Sequence, residues 1–188
     1  MGKFYEVLEE NPIIASVKDI ESLEMACKEE EIRVIFVLFG NINNIQEIVA
    51  KIKDSNRIAL VHLDLIAGLS TKEVAVDFIR KNTRTDGIIS TKPMLIKRAA
   101  EIGLHTVLRV FMIDSMAFEN LKLQVYSIRP DFVEVLPGVM PKVIRKLRKS
   151  IKSPIIAGGL IEDKEDVMSA LSAGATSIST TNKEIWKM

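Results

Sequence analysis

Apolar residues come in short β-rich runs that recur along the whole chain: Ile13 to Val17, Val34 to Phe39, Ile58 to Leu63, Gly87 to Ser90, Thr106 to Phe111, Phe132 to Leu136, Ile155 to Ala157 and Ala175 to Ser179. Between them lie stretches in which apolar positions repeat every three or four residues, the period of a helix with one face turned inward. Sustained alternation of strand and helix predicts a parallel sheet, and eight strands are what a closed (β/α)8 barrel requires. The expected fold is therefore α/β, with residues 1–188 forming a single TIM-like barrel domain. An open doubly wound sheet is the alternative. Common barrels run to about 250 residues, so a chain of 188 residues implies a compact barrel with short loops.

Local signals agree with this alternation. Ser70-Thr71-Lys72-Glu73 and Thr181-Asn182-Lys183-Glu184 have the spacing of capping boxes, and Asp114 and Asp163 stand where helix N-caps belong. Gly103 and Gly174 each follow an apolar helical stretch and precede a strand, where a left-handed residue closes the helix.

In such a barrel, function gathers where each strand ends and its helix begins. Those points carry Lys18 and Asp19, Asn41, His62 and Asp64, Ser90 and Lys92, Arg109, Glu134 with Pro137-Gly138, Gly158-Gly159, and Thr180-Thr181. The last two units stand out. Ser153 to Leu160 and Ser177 to Asn182 each read as a strand opening into small or hydroxyl residues and then a helix. Backbone amides at Gly158, Gly159, Thr180 and Thr181, with Gly138 at the edge, would form a phosphate site on helix N-termini.

Strand alternation puts Leu60, His62 and Asp64 on one side of strand three and Phe132, Glu134 and Leu136 on one side of strand six. His62, Asp64 and Glu134 would then share a pocket, with Lys92 or Arg109 to neutralise an anion. The same residues also suit a buried polar network that satisfies itself. A divalent metal on Asp64, Glu134 and His62 is conceivable, but the spacing is not that of a metal motif. His105, at the start of strand five, falls on the opposite, stabilising face. Cys27, on the first helix, reads as a small core residue.

Composition narrows the function classes. A net charge of +1 gives no global attraction to nucleic acid, so any such partner must use a local patch. One patch exists: Lys142 to Lys152 holds six basic residues and no acid. Helical periodicity turns Val143, Ile144, Leu147 and Ile151 inward and Lys142, Arg145, Lys146 and Lys149 outward. Such a face can track phosphates or simply be solvated, and it contains no aromatic residue. A single cysteine and the lack of an apolar signal region or membrane span point to the cytoplasm. No nucleophile elbow, Walker loop or dinucleotide fingerprint is present.

Taken together, these motifs resemble the glycerol uptake operon antiterminator family. The resemblance is carried by Leu38-Phe39-Gly40-Asn41, Val61-His62-Leu63-Asp64-Leu65-Ile66, Gly68-Leu69-Ser70, Asp86 to Pro93, Asp131 to Gly138, Ile155 to Leu160 and Ser179 to Asn182. It implies a TIM-like barrel without catalysis, glycerol 3-phosphate as effector, a leader mRNA as partner, and no cofactor or metal. Ligand contacts would come from Lys18, His62, Asp64, Ser90, Lys92, Arg109 and Glu134 besides the phosphate loops. Ala67 departs from the pattern, standing where the family is expected to carry an acid. The rival readings are an enzyme acting on a small phosphorylated metabolite and a metabolite sensor acting through a protein partner. A homo-oligomer is compatible with each.

Overall fold

A computed structural model of the chain describes residues 3–188. Eight strands close into one parallel barrel in sequential order. They are β1 (Ile13–Val17), β2 (Val34–Val37), β3 (Ile58–His62), β4 (Gly87–Ser90), β5 (His105–Phe111), β6 (Phe132–Leu136), β7 (Ile155–Gly158) and β8 (Ser177–Thr180). Eight α-helices accompany them among the described residues: α1 (Lys3–Glu10), α2 (Ile20–Lys28), α3 (Ile45–Asp54), α4 (Val74–Asn82), α5 (Pro93–Glu101), α6 (Ser115–Ile128), α7 (Pro141–Ser150) and α8 (Lys164–Ser172). No described helix is long and apolar enough to cross a membrane.

The strands are apolar on both faces because each face meets a core. One buried cluster fills the barrel: Ile14, Val34, Phe36, Leu60, Ile89, Val107, Phe132 and Ile156, joined by Phe4 and Leu8 from α1. The Phe4 ring lies 5.0 Å from that of Phe132, edge-on, so α1 plugs the end where the strands begin. Each such side chain contributes about 1.5–3 kcal/mol by leaving water. The other cluster lies between strands and surrounding helices, as with Val37, Val61, Ile96, Leu147 and Ile178.

This plug corrects the helix assignment. Helix α1 precedes the barrel, so Cys27 lies on the second helix, where it is partly buried against the outer core. His105 begins β5 at the plugged end, with its ring 4.8 Å from that of Phe4.

The last unit departs further from expectation. Among the described residues no α-helix follows β8, and Ile185–Lys187 forms a 3-10 turn. The expected capping box at Thr181 to Glu184 is replaced by two tighter turns, in which Asn182 N donates to Thr180 Oγ1 (3.0 Å) and Glu184 N to Asn182 Oδ1 (3.0 Å). Trp186, 1% exposed, donates through Nε1 to Thr180 O at 2.9 Å and fastens the C-terminal turn to the barrel. Nor does Ser70 cap a helix with Glu73: its Oγ accepts from Lys72 N, and α4 begins only at Val74. Asp114 and Asp163 do cap α6 and α8, accepting from Ala117 N (2.7 Å) and Asp166 N (2.9 Å). Gly103 and Gly174 follow α5 and α8 at φ 74° and 105°.

Candidate functional site

The strands deliver a buried ion pair to the open end of the barrel. Arg109 and Glu134 are register partners on β5 and β6. Arg109 Nε donates to Glu134 Oε2 at 2.5 Å and Nη2 donates to Oε1 at 3.2 Å. Ser179 Oγ on β8 donates to Oε1 at 2.6 Å. Glu134 is fully buried and Arg109 only 8% exposed, so the carboxylate's charge is matched and both its oxygens are hydrogen-bonded. Gly158 is glycine for a steric reason: a Cβ there would stand 2.9 Å from Glu134 Oε1 and collide with Ser179 Oγ.

Asp64 is held in a separate cluster. β3 ends at His62, and Leu63–Leu65 turns into a 3-10 helix, which breaks the alternation that would have aimed Asp64 toward Glu134. Asp64 instead accepts from Thr91 N (2.7 Å), Lys92 Nζ (2.9 Å), Thr91 Oγ1 (3.1 Å) and Ser90 Oγ (3.1 Å). Burial works to raise its pKa, but the bonds from Thr91 and Lys92 outweigh it and hold the carboxyl below its usual range. It thereby ties down the start of α5, which begins with Pro93 and has no side-chain N-cap. Ala67 sits nearby on the surface, bridged to Asn41. Among the described residues no three His, Cys, Asp or Glu side chains converge as a metal site would require.

His62 lies between the two clusters, 3% exposed, with Nδ1 3.9 Å from Asp64 Oδ2 and without a hydrogen-bond partner among the described residues. Burial, reinforced by the Arg109 charge, lowers its pKa from 6.5 to about 4 against the pull of Asp64. The folded state therefore holds the neutral ring while the unfolded chain takes up a proton. Stability should be fully present above 6.5 and fall as pH drops toward about 4, by about 3 kcal/mol in total. In urea unfolding, His62→Gln should lack this component, and parallel pH profiles for parent and variant would refute it.

Beside the ion pair a cavity of about 350 Å³ opens at the ends of β7 and β8. Arg109, Glu134, Gly159, Leu160, Thr180 and Thr181 line it, with Ser16, Leu38, Leu136, Ile161, Glu162, Ser179 and Asn182. The β7 turn is strained: Gly159 has φ 75°, and Leu160, a non-glycine residue 66% exposed, has φ 60°. A left-handed leucine costs about 1–2 kcal/mol and persists only where its surroundings impose it. Here Gly138 N donates to Gly159 O at 3.0 Å, Thr180 Oγ1 to Ile161 O at 3.2 Å, and Asn182 Nδ2 to Glu162 O at 2.7 Å. Among the described residues, the amides of Gly159, Leu160 and Thr181 donate to no protein acceptor.

Of the expected phosphate residues, Gly159, Thr180 and Thr181 line the cavity. Gly158 lies beneath it, over the ion pair, and Gly138 packs against Gly158, where a Cβ would come within 2.9 Å of Gly158 N. Of the helix N-termini expected here, that of α8 carries Asp163 as its cap, accepting from Asp166 N, and among the described residues no α-helix follows β8. Lys18 borders an adjoining depression of about 410 Å³ with Lys183, sharing Ser16, Thr181 and Asn182 with the first. Ser90 and Lys92 serve Asp64 and do not line the cavity.

Helix α7 descends from the turn that holds Gly138. Ile144 and Leu147 are buried, whereas Arg145, Lys146 and Lys149 project outward with Lys142 at the helix start. Val143 is only partly buried, and Ile151 lies just past the helix end. None of the basic residues from Lys142 to Lys152 makes an ion pair among the described residues.

Residues 13–186 match the family model described as glycerol-3-phosphate responsive antiterminator. The crystal structure of a glycerol uptake operon antiterminator regulatory protein from Listeria monocytogenes superposes with a TM-score of 0.90 at 30% identity, covering 93% of this chain and 94% of that one. A glycerol uptake operon antiterminator-related protein from Thermotoga maritima gives 0.84 at 35% identity, covering 95% and 99%. The uncharacterized protein YgcP of Escherichia coli is 44% identical over 182 residues, 97% of this chain and 95% of its own. An N-acetylmannosamine-6-phosphate 2-epimerase from Clostridium perfringens, at 18% identity and a TM-score of 0.71, shares the barrel fold. With the family model spanning nearly the whole chain and two solved relatives sharing its barrel, the chain belongs to the glycerol-3-phosphate responsive antiterminator family.

Proposed function

We propose that this chain is a cytoplasmic regulator that binds glycerol 3-phosphate at the ends of β7 and β8 and acts on a leader mRNA. It does so without turning the ligand over. The observation that carries this reading is the set of unpaired amides at Gly159, Leu160 and Thr181 around a cavity of about 350 Å³. Unpaired backbone N–H groups are suited to an anion, and their dipoles act at short range in a partly enclosed site. The hydroxyl end would then meet Ser16, Asn182 and the rim of the Arg109–Glu134 pair.

The acid–base inventory favours binding over chemistry. Asp64 accepts from Ser90, Thr91 and Lys92, Glu134 from Arg109 and Ser179, and His62 is neutral above about pH 4. A general base needs a free lone pair within reach of the substrate; the neutral His62 ring keeps one at Nδ1 but does not line the cavity. The RNA half of the reading draws on the unneutralised face of α7 and on the Listeria relative, which is an operon antiterminator.

Glycerol 3-phosphate at 100 times its Kd should stabilise the fold by about 2.7 kcal/mol, visible as a raised Tm, while glycerol alone should not. Gly159→Ala should abolish the shift, because a Cβ at φ 75° is strained and falls 3.2 Å from Leu136 in the cavity wall. An unchanged shift in a folded Gly159→Ala protein would place the ligand elsewhere. Conversion of glycerol 3-phosphate or a triose phosphate, lost in Asp64→Asn, would establish the enzyme reading instead. Ligand binding with no gel shift of a leader transcript would leave a sensor that works through a protein.

A further inference from the structure

Helix α7 has cations and no aromatic residue, yet the fold brings one to its foot. Where the C-terminal ends of α6 and α7 meet, a depression of about 570 Å³ is lined by Lys122, Val125, Tyr126, Arg129, Ile151 and Lys152, with two serines. Tyr126 is 82% exposed. Val125 and Ile151, each 7% exposed, form an apolar floor. No acidic residue lines the depression. Arg129 is fixed as the left-handed cap of α6 at φ 47°, and neither it nor Lys152 makes an ion pair among the described residues. Lys146 Nζ lies 4.4 Å from the centroid of the Phe118 ring on α6.

We propose that this depression is a binding site for single-stranded RNA. A base stacks on the Tyr126 ring while Arg129 and Lys152 hold the flanking phosphates, continuing the path of cations down α7. The inference rests on the RNA reading above and adds where and in what form RNA is held. An exposed aromatic face beside unpaired cations is the chemistry by which proteins hold single strands, because every unstacked base offers a π-face. A duplex hides those faces and would meet only the cations. The negative ends of the α6 and α7 dipoles point here and offset part of the positive charge. With no carboxylate in its lining, the depression stays attractive to phosphate even though Lys122 is paired with Glu119.

The test is fluorescence anisotropy with a labelled, randomised single-stranded RNA pool and the same pool annealed to its complement. Tyr126→Ala should weaken binding of the single strands about 10-fold with an unchanged salt slope, and Tyr126→Phe should retain it. Lys152→Gln should lower the salt slope by about 0.7. Both side chains are solvent-facing, so circular dichroism and the thermal shift with glycerol 3-phosphate should match the parent. Equal affinity of parent and Tyr126→Ala for the pool would overturn the proposal while leaving the regulator reading in place. So would duplex competing as well as single strand, or Tyr126→Ala converting a dimer to monomers, which would make the depression a contact between copies. If the pool does not bind at low salt the site falls, and if a leader transcript also fails to bind, the reading it rests on falls as well.

Discussion

Replacing Glu134 with alanine is expected to cost the fold about 3–5 kcal/mol, because breaking a buried ion pair strands the other charge. Arg109, 8% exposed, would lose its carboxylate partner, and Ser179 Oγ would lose its acceptor. The loss is large against a typical stability of about 5–15 kcal/mol. The pair itself is a weak source of net stability, since burying both charges costs nearly what their attraction returns. The double variant Arg109→Met/Glu134→Leu should therefore be more stable than Glu134→Ala alone. Urea unfolding of the parent and both variants settles this. A Glu134→Ala loss below about 1 kcal/mol would mean that water reaches Arg109 and that the pair is not buried in solution. If the double variant folds stably but no longer shifts with glycerol 3-phosphate, the pair is kept for the ligand and not for the fold.

Most of the barrel is legible in the sequence because its strands are short apolar runs between periodic helices, and closure needs only their number and order. Strand ends are legible to within about two residues, since the hydrogen bonds that end a strand depend on its neighbours' register as well as on its own residues. The plug is not legible. Lys3 to Glu10 carries Phe4 and Leu8 one helical turn apart, a pattern that only gains meaning once the barrel's lower end is seen to need covering. The placement of Asp64 escapes the sequence for a similar reason: four donors from the β4 turn converge on it, and they come from residues about a full strand–helix unit away. Nothing in Ala157-Gly158-Gly159-Leu160 announces that Leu160 is left-handed, because that strain is imposed by loops stitched together through Gly138, Thr180 and Asn182. The aromatic missing from α7 is likewise supplied across space, by Tyr126 on α6.

Changing Arg145, Lys146 and Lys149 to glutamine should weaken RNA binding on the order of 100-fold at low salt and lower its salt slope by about 2, as expected for three lost contacts to a single strand. The ligand's thermal shift without RNA should be nearly unaffected, since these side chains project from the outer face of α7 and do not line the cavity. A regulator must also couple the two sites. Helix α7 begins three residues after Gly138, and Gly138 N is bonded to Gly159 O in the cavity wall at 3.0 Å. A phosphate held by the Gly159 and Leu160 amides would fix that turn, and with it the direction in which α7 carries its cations. A ligand shifts such an equilibrium only by its differential affinity for two states, and the coupling is reciprocal. Glycerol 3-phosphate should therefore change RNA affinity by some factor, typically about 5- to 150-fold, and RNA should change ligand affinity by that same factor. Calorimetric titration of the ligand with and without a bound leader transcript measures both legs. Equal ligand affinities with RNA demonstrably bound would show that the cavity and α7 act independently, and the Gly138–Gly159 link would then be a packing contact without a regulatory role.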